Sequence, residues 1–349
     1  MNIQILNPLD IPNWDSVAGS LAGYMFFHSS AWCRVLSESY GYKPIYFTGW
    51  ESDELRAVVP MMEVDSILTG RRGVSLPFTD FCEPLLAKDS SLEPLLSEIR
   101  DYGQKRAWKY VEFRGGERLL NAKRPSNSFF GHRLDLATGI ESLEKGMRDS
   151  TRRNTRKAAK AGVTVEINES PEAMKEFYRL NCITRRRHGL PPQPFVFFEK
   201  FFEHVINPGL GTIVLASFDD NIIAAAIYVV TSSSGGSVLY KYGASDKAHQ
   251  RLRANNMVMW AAIKFFAGKG HSEMLLGRTD NEDPGLRQFK TGWGVQEHLI
   301  YYYTYDMKSS TVTNGCKAAT NNSFGTKAFR YTPIPILRLV GNVMYRHFG

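Results

Sequence analysis

The chain has 349 residues, 43% apolar and 12% aromatic, with 43 Lys plus Arg against 35 Asp plus Glu, a formal net charge of +8. This length predicts two domains, and this apolar content excludes wholesale disorder. The positive surplus suits a polyanionic partner, whether a nucleic acid, a phosphorylated carrier or an anionic membrane face.

In chain order, Met1 to Tyr24 carries Asp10 and Asp15 and lacks the basic-then-apolar layout of a secretory leader. A helix striped by Ala31, Trp32, Val35, Leu36, Ser39 and Tyr40 follows, with Ser29 or Ser30 as its N-cap. Ile45 to Trp50 and Leu55 to Val59 predict a hairpin around the polar turn Glu51 to Glu54. Leu92, Leu95, Leu96 and Ile99 mark a helix face, and Trp108 to Phe113 a strand. Between Thr138 and Gly162, Arg148, Arg152, Arg156 and Lys160 recur every four residues beside Arg153 and Lys157. On a helix they form one basic stripe, either a solvated face or an edge for a polyanion.

The plan then repeats. Phe197, Phe198, Phe201, Phe202 and Val205 stripe a helix, and Ile213 to Phe218, the turn Asp219 to Asn221, and Ile222 to Val230 form a second hairpin. A strand near Leu239 to Ser245, a helix apolar nearly all round from Ala254 to Ala267 and a strand at Glu273 to Leu276 complete the second copy. Two such copies predict a duplicated α/β unit with mixed sheets, of α+β character, with domains at 1–140 and 141–310. The remainder, 311–349, is expected as a loop from Thr311 to Thr326 and then a basic amphipathic helix after Pro333 and Pro335. That helix would dock its apolar side (Ile336, Leu339, Val340, Val343, Met344) on its own domain or lie on a membrane surface.

The longest apolar runs, such as Ile222 to Val230, reach about half a membrane span, so a soluble cytoplasmic protein is expected. Cys33, Cys82, Cys182 and Cys316 form no Cys-x-x-Cys pair, and the eight histidines show no ligand spacing. Buried reduced thiols and no metal are expected. The absence of a Gly-x-Ser-x-Gly elbow, a P-loop and a dinucleotide Gly-x-Gly-x-x-Gly argues against hydrolase, ATPase and dehydrogenase chemistry.

What remains is a dense constellation in the second half. Tyr240, Tyr242 and Ser245 lie where a strand runs into a turn, and Asn255 and Asn256 start the apolar helix. Arg278 leaves the next strand, and Gly285 to Gly294 follows, with Lys290 sheltered between Phe289 and Trp293. Strand ends facing a helix start are where open α/β sheets place ligands, and a sheltered ammonium stabilises negative charge on a nearby oxygen.

Four segments resemble the Fem-type branch of the GNAT acyltransferase superfamily, over about Phe26 to Tyr302. They are Phe27-His28-Ser29-Ser30-Ala31-Trp32, Thr184-Arg185-Arg186-Arg187-His188-Gly189, Tyr242-Gly243-Ala244-Ser245 and the more specific Gly285-Leu286-Arg287-Gln288-Phe289-Lys290-Thr291-Gly292-Trp293-Gly294. The resemblance implies two tandem GNAT domains, no metal, and transfer of an amino acid from aminoacyl-tRNA to an amine of a lipid-linked or nucleotide-linked cell-wall precursor. It places Lys290 near the reacting acyl group and Tyr242 in the same cleft. Substrate phosphates would be held by Arg34, near Trp32, and by Arg185 or Arg187. Two departures stand out: Gln250 to Asn256, where single-domain relatives grip the coenzyme A pyrophosphate, contains no glycine, and the long charged helical hairpin of some Fem-type enzymes is missing.

The expected activity is therefore acyl or aminoacyl transfer to an amine of a cell-envelope or polysaccharide precursor. No covalent enzyme intermediate and no bound cofactor are expected. Lys290 and Tyr242 would be catalytic, and the other residues above would bind substrate. An acyl-CoA-dependent N-acyltransferase acting on an amino sugar is the alternative on the same fold. A non-catalytic binder of RNA or anionic lipid is the alternative of another class. Membrane contact would be peripheral, at the inner face, through the basic helix after Pro335.

Overall fold

The computed structural model describes residues 1–120, 123–231, 235–313 and 324–349. The chain divides into two compact units, one of Met1–Phe129, Leu299–Ala318 and Val343–Gly349, the other of Phe130–His298 and Ala319–Asn342.

The first unit begins with β1 (Asn2–Leu6) and α1 (Ser30–Tyr40). Ser29 caps α1 by accepting from Trp32 N at 3.2 Å, and Gly41 ends it at φ +71°. The stripe of Trp32, Val35, Leu36 and Tyr40 is buried, as its spacing requires. Next come β2 (Tyr46–Glu51), β3 (Glu54–Val59), β4 (Leu85–Leu86), α2 (Glu93–Lys105) and β5 (Tyr110–Arg114). The strands β1, β2, β3 and β4 form an antiparallel sheet in that order, while β5 runs parallel to the short strand Arg72–Val74. Leu95, Leu96 and Ile99 of α2 pack with Phe47, Val59, Trp108 and Phe113 in the core of this unit.

The second unit takes in the end of β6 (Asn127–Asp135). It then runs through α3 (Ile140–Gly146), α4 (Asp149–Lys160), β7 (Thr164–Asn168), α5 (Pro171–Arg187) and α6 (Phe195–Phe201), which continues as a π-helical turn to Ile206. β8 (Gly211–Phe218), β9 (Asn221–Val230), β10 (Ser237–Ser245), α7 (Ala254–Gly268), β11 (Glu273–Leu275) and α8 (Pro284–Thr291) follow. Its sheet order is β7, β8, β9, β10, β11, β6, antiparallel except for the pair β10 and β11. The helix expected to be buried is: α7 lies against β8, β9 and α4, with Val258, Met259, Ala262, Ile263 and Phe266 in the core. Beyond α8 come β12 (Gln296–Asp306) and, in the tail, α9 (Ile334–Met344).

The contact division differs from the sequence cuts at 140/141 and 310/311. Tyr302–Asp306 of β12 pairs with β5 in the first unit, and Arg133–Asp135 of β6 pairs with β11 in the second. The tail loop expected from Thr311 starts instead as a short strand, with Val312 paired to Tyr305; residues 314–323, and Cys316 with them, lie outside the described residues. Helix α9 also faces the other way. Leu337 and Gly341 are its buried positions, while Ile336, Leu339 and Val343 are exposed. Gly341 lies so near the Pro192 carbonyl that a Cβ would not fit, and this close approach fixes the docked side. Among the described residues no helix is long and apolar enough to cross a membrane. Cys33, Cys82 and Cys182 are buried thiols.

The two hairpins match residue for residue. Ser52 and Asp53 (φ +47° and +67°) join β2 to β3, and Asp219 and Asp220 (φ +48° and +60°) join β8 to β9, both as two-residue turns of the I′ kind. In each, the second pair from the turn is followed by a bulge, Trp50↔Leu55 then Gly49↔Ala57, and Ser217↔Ile222 then Ala216↔Ala224. Even the neighbouring strand keeps register, Asn2 opposite Trp50 and Thr164 opposite Ser217. A shared bulge and shared register make duplication the economical account, since a one-residue slip would turn every side chain to the wrong face.

His28, in the turn before α1, is fully buried. Its Nδ1 accepts from Met25 N at 3.1 Å, and its Nε2 faces the Glu83 carbonyl at 2.8 Å. Only a neutral ring protonated at Nε2 satisfies both contacts. Burial outweighs the two backbone contacts and pushes the pKa down to about 4.

Two outcomes follow. Asp220→Val should lower stability by about 1 kcal/mol through the left-handed conformation, and Asp219→Asn with Asp220→Gly should raise it, read from chemical unfolding midpoints. For His28 the folded pKa lies below the ordinary 6.5, so the unfolded chain takes the proton first. Its contribution is level above pH 6.5 and falls by up to about 3 kcal/mol as the pH drops to about 4. The thermal midpoint should fall across that window, and His28→Gln should flatten the slope.

Candidate functional site

In the second unit, β10 and β11 pair only from Ser237↔Glu273 to Leu239↔Leu275. Past that point each follows its other neighbour. β10 stays on β9 through a bulge that skips Lys241, between Tyr228↔Tyr240 and Ile227↔Tyr242. The chain after β11 stays on β6, with Leu276 N bonded to His132 O at 2.9 Å and Phe130 and Thr279 bonded both ways. Two parallel strands therefore part, and their facing backbone groups must find partners other than each other.

Lys290, on α8, supplies one. Its Nζ donates to the carbonyls of Gly277, at 3.2 Å, and Arg278, at 2.8 Å, and the residue is only 2% exposed. Local sequence explains the placement. Asp283 caps α8 by accepting from Leu286 N at 2.9 Å, and Pro284 opens it. Phe289 and Trp293 meet edge to face at 6.1 Å beside the lysine, with Trp293 in the core. Gly294 turns the chain at φ +79°, where a Cβ would stand 2.7 Å from the Gly146 carbonyl. Arg278 is half-buried and joins this site through its carbonyl.

A second group gathers at the end of β10. Thr184 Oγ1 accepts from Ser245 N at 3.0 Å and lies 3.2 Å from Ser245 O, and Asn255 Nδ2 donates to Ser245 Oγ at 3.2 Å. This ties the end of α5, the end of β10 and the start of α7 together. Arg185 and Arg187, just past Thr184, are half-buried; Arg185 Nε donates to Pro191 O at 3.4 Å, and Arg187 Nη2 lies 3.4 Å from His188 Nε2. Asn255 is exposed and Asn256 buried. The Tyr242 ring sits among Phe177, Phe197, Phe198 and Phe201, with Lys241 Nζ 5.0 Å from its centre. Tyr240 packs at a tilt against Tyr228 and extends its hydroxyl over Gly243, where no Cβ would fit; burial pushes this phenol up to about 12.

The two residues assigned to the first unit are separate from these groups in sequence and differ from each other. Trp32 is fully buried against Phe26 and Phe27, while Arg34 is exposed, 3.9 Å from Glu38.

Sequence reasoning missed His132, Glu297 and Arg287 as a group. His132 Nε2 lies 3.2 Å from Glu297 Oε2, and Arg287 holds both Glu297 oxygens, at 2.9 and 2.6 Å, with its guanidinium 3.6 Å over the Phe130 ring. Burial first and the Lys290 ammonium second push the His132 pKa down, against Glu297. The Arg287 bonds hold the Glu297 carboxyl below its usual range. Lys290 thus faces a neutral imidazole backed by a carboxylate. The basic helix α4 begins at this same place: Arg148 N donates to Gly292 O at 2.9 Å and its Nη2 to Thr291 Oγ1 at 3.3 Å. Arg152 turns back to the Lys145 and Met147 carbonyls and Arg156 to Glu144, leaving Arg153, Lys157 and Lys160 exposed.

Residues 145–291 match a family model described as an acetyltransferase (GNAT) domain. Comparison with curated proteins gives no match. Among solved structures, FemX superposes with a TM-score of 0.67 at 14% identity, over 88% of this chain and 97% of that one. The C-terminal domain of a putative lysylphosphatidylglycerol synthetase from Agrobacterium fabrum gives 0.58 at 15% identity, over 87% and 93%. A tandem GNAT protein from the clavulanic acid biosynthesis pathway gives 0.55 at 9%, over 88% and 98%. Residues 145–291 thus match the GNAT acetyltransferase domain, and the chain shares its fold with FemX and with a tandem GNAT protein.

Proposed function

We propose that the protein transfers an aminoacyl group from a tRNA-type ester to an amine of a phosphorylated or lipid-linked cell-envelope precursor. The observation that carries this reading is the buried Lys290 ammonium, held on two carbonyls where β10 and β11 part. A carbonyl oxygen gains charge as the amine attacks, and a fixed cation in a dry site favours that charge.

The step needs no enzyme-bound intermediate. The acceptor nitrogen bonds to the acyl carbon, the ester C–O bond breaks, and the amine proton leaves to the departing hydroxyl oxygen. Alignment of amine and ester supplies up to about 7–11 kcal/mol in favourable cases. Tyr242, Tyr240, Phe289 and Trp293 shape the surroundings of the acyl group. Arg185 and Arg187 are proposed for the phosphates, with Ser245, Asn255, Asn256 and Arg278 near the donor.

The start of α7 supports an ester donor over coenzyme A. Arg253, at φ +60°, stands where a glycine would let backbone amides close on a pyrophosphate. The match to an acetyltransferase domain favours the second reading, an acyl-CoA donor acylating an amino sugar. Donor use separates the two, through transfer of label from aminoacyl-tRNA or from acyl-CoA to an amine acceptor. Lys290→Ala should lower turnover by about 10²–10³ while thermal unfolding shows a folded protein, with partial recovery in Lys290→Arg. Full turnover by a folded Lys290→Ala protein at saturating substrate would overturn the assignment.

A further inference from the structure

The transfer step leaves one cluster beside Lys290 without a role. His132 on β6, Arg287 on α8 and Glu297 on β12 all belong, with Lys290, to the second unit. The His132 side chain is fully buried, and its Nε2 lies 3.2 Å from Glu297 Oε2. Its ring also faces the Gly277 carbonyl. That carbonyl is the one Lys290 Nζ holds at 3.2 Å, a longer bond than the 2.8 Å to Arg278 O. Arg287 stands about one helical turn before Lys290 on α8 and grips both Glu297 oxygens, which fixes the carboxylate against the ring.

Packing alone does not ask for this set. A buried imidazole beside a buried ammonium loses hydration that an aliphatic side chain at 132 would not. What the imidazole adds is a variable number of protons. A carboxylate only accepts, so the neutral ring gives its single N–H to Glu297. The charged ring has a second N–H, and Gly277 is the carbonyl it faces. In that form it competes with Lys290 for one oxygen and sets a second full charge beside the ammonium.

We propose that His132, fixed by Glu297 and Arg287, is a positioning residue for Lys290: neutral, it leaves the Gly277 carbonyl to the lysine, and protonated, it takes that carbonyl away and lowers turnover. This rests on the reading of Lys290 given above. The groups facing the imidazole are Lys290 from α8, Glu297 from β12 and the Gly277 carbonyl after β11. Burial and Lys290 oppose its proton, while Glu297 and Gly277 favour it. The net direction is down from 6.5, so the ring is neutral at pH 7 and takes its proton only in acid. His298, beside Glu297 on β12, is also lowered, by burial first and Arg133 second, with Glu273 and Glu297 opposing.

The test uses the full chain in two arms. In the first, NMR follows the His132 ring and the Lys290 side chain as the pH falls. The lysine signal should move at the His132 midpoint and stay in place in His132→Gln. Lys290→Met should raise the His132 midpoint and Glu297→Gln lower it; Lys290→Gln, which keeps an N–H for the carbonyls, serves if the methionine variant does not fold. In the second arm, transfer to an amine is compared between His132→Gln and the unmodified chain at each pH, with thermal unfolding showing both to be folded. Their rate ratio cancels the titration of donor and acceptor. At neutral pH His132→Gln should be about tenfold slower, as when a partner that orients a reacting group is replaced, and His132→Leu slower still. Below the His132 midpoint the ratio should climb, because only the unmodified chain then loses rate. A Lys290 signal that ignores the His132 midpoint, or a ratio flat across it, overturns the proposal. If neither donor gives transfer while the two side chains still titrate together, the proposed reaction falls and the positioning of Lys290 is supported.

Discussion

The second unit is organised by two strands with different allegiances. β10 and β11 share one short parallel ladder; then the bulge at Lys241 keeps β10 on β9, and the chain past β11 stays with β6. Opening a sheet away from water exposes carbonyls that need donors. Lys290 answers that need with one residue, which is why a lysine can be 2% exposed at all. A buried ammonium is tolerable only when polar groups replace its water. Here the carbonyls of Gly277 and Arg278 take the place of that water.

The same logic extends outward to Arg287, Glu297 and His132. A second full positive charge next to Lys290 would be hard to bear. Burial and the neighbouring ammonium keep His132 neutral, while Glu297 carries the compensating charge on the far side, shared with Arg287. The glycines of the Gly292-Trp293-Gly294 segment serve this geometry by admitting Thr151 and the Gly146 carbonyl where side chains would stand.

Local patterns were legible in the sequence, and allegiances between distant elements were not. The β-rich runs on either side of Asp219 and Asp220 announced a hairpin because a two-residue turn links neighbours in the chain. The Ser29 cap and the all-round apolar helix at Ala254 were legible for the same reason. The cluster of His132, Arg287 and Glu297 comes from three separate elements and has no spacing to find. The apolar stripe of α9 was visible, but its direction was not. That depends on Gly341 meeting Pro192, a contact between residues far apart in the chain. Lys290 was found through its aromatic neighbours, yet its carbonyl partners lie on another strand.

The two units are also interleaved along the chain, since the first draws on Met1–Phe129, Leu299–Ala318 and Val343–Gly349. Copies lying simply end to end could be parted by one break, and either could be exchanged for a foreign module. Here any single break removes a strand or a tail from one partner. Recombination therefore has no clean seam to act on, and the halves must drift under a common constraint, inherited and lost together.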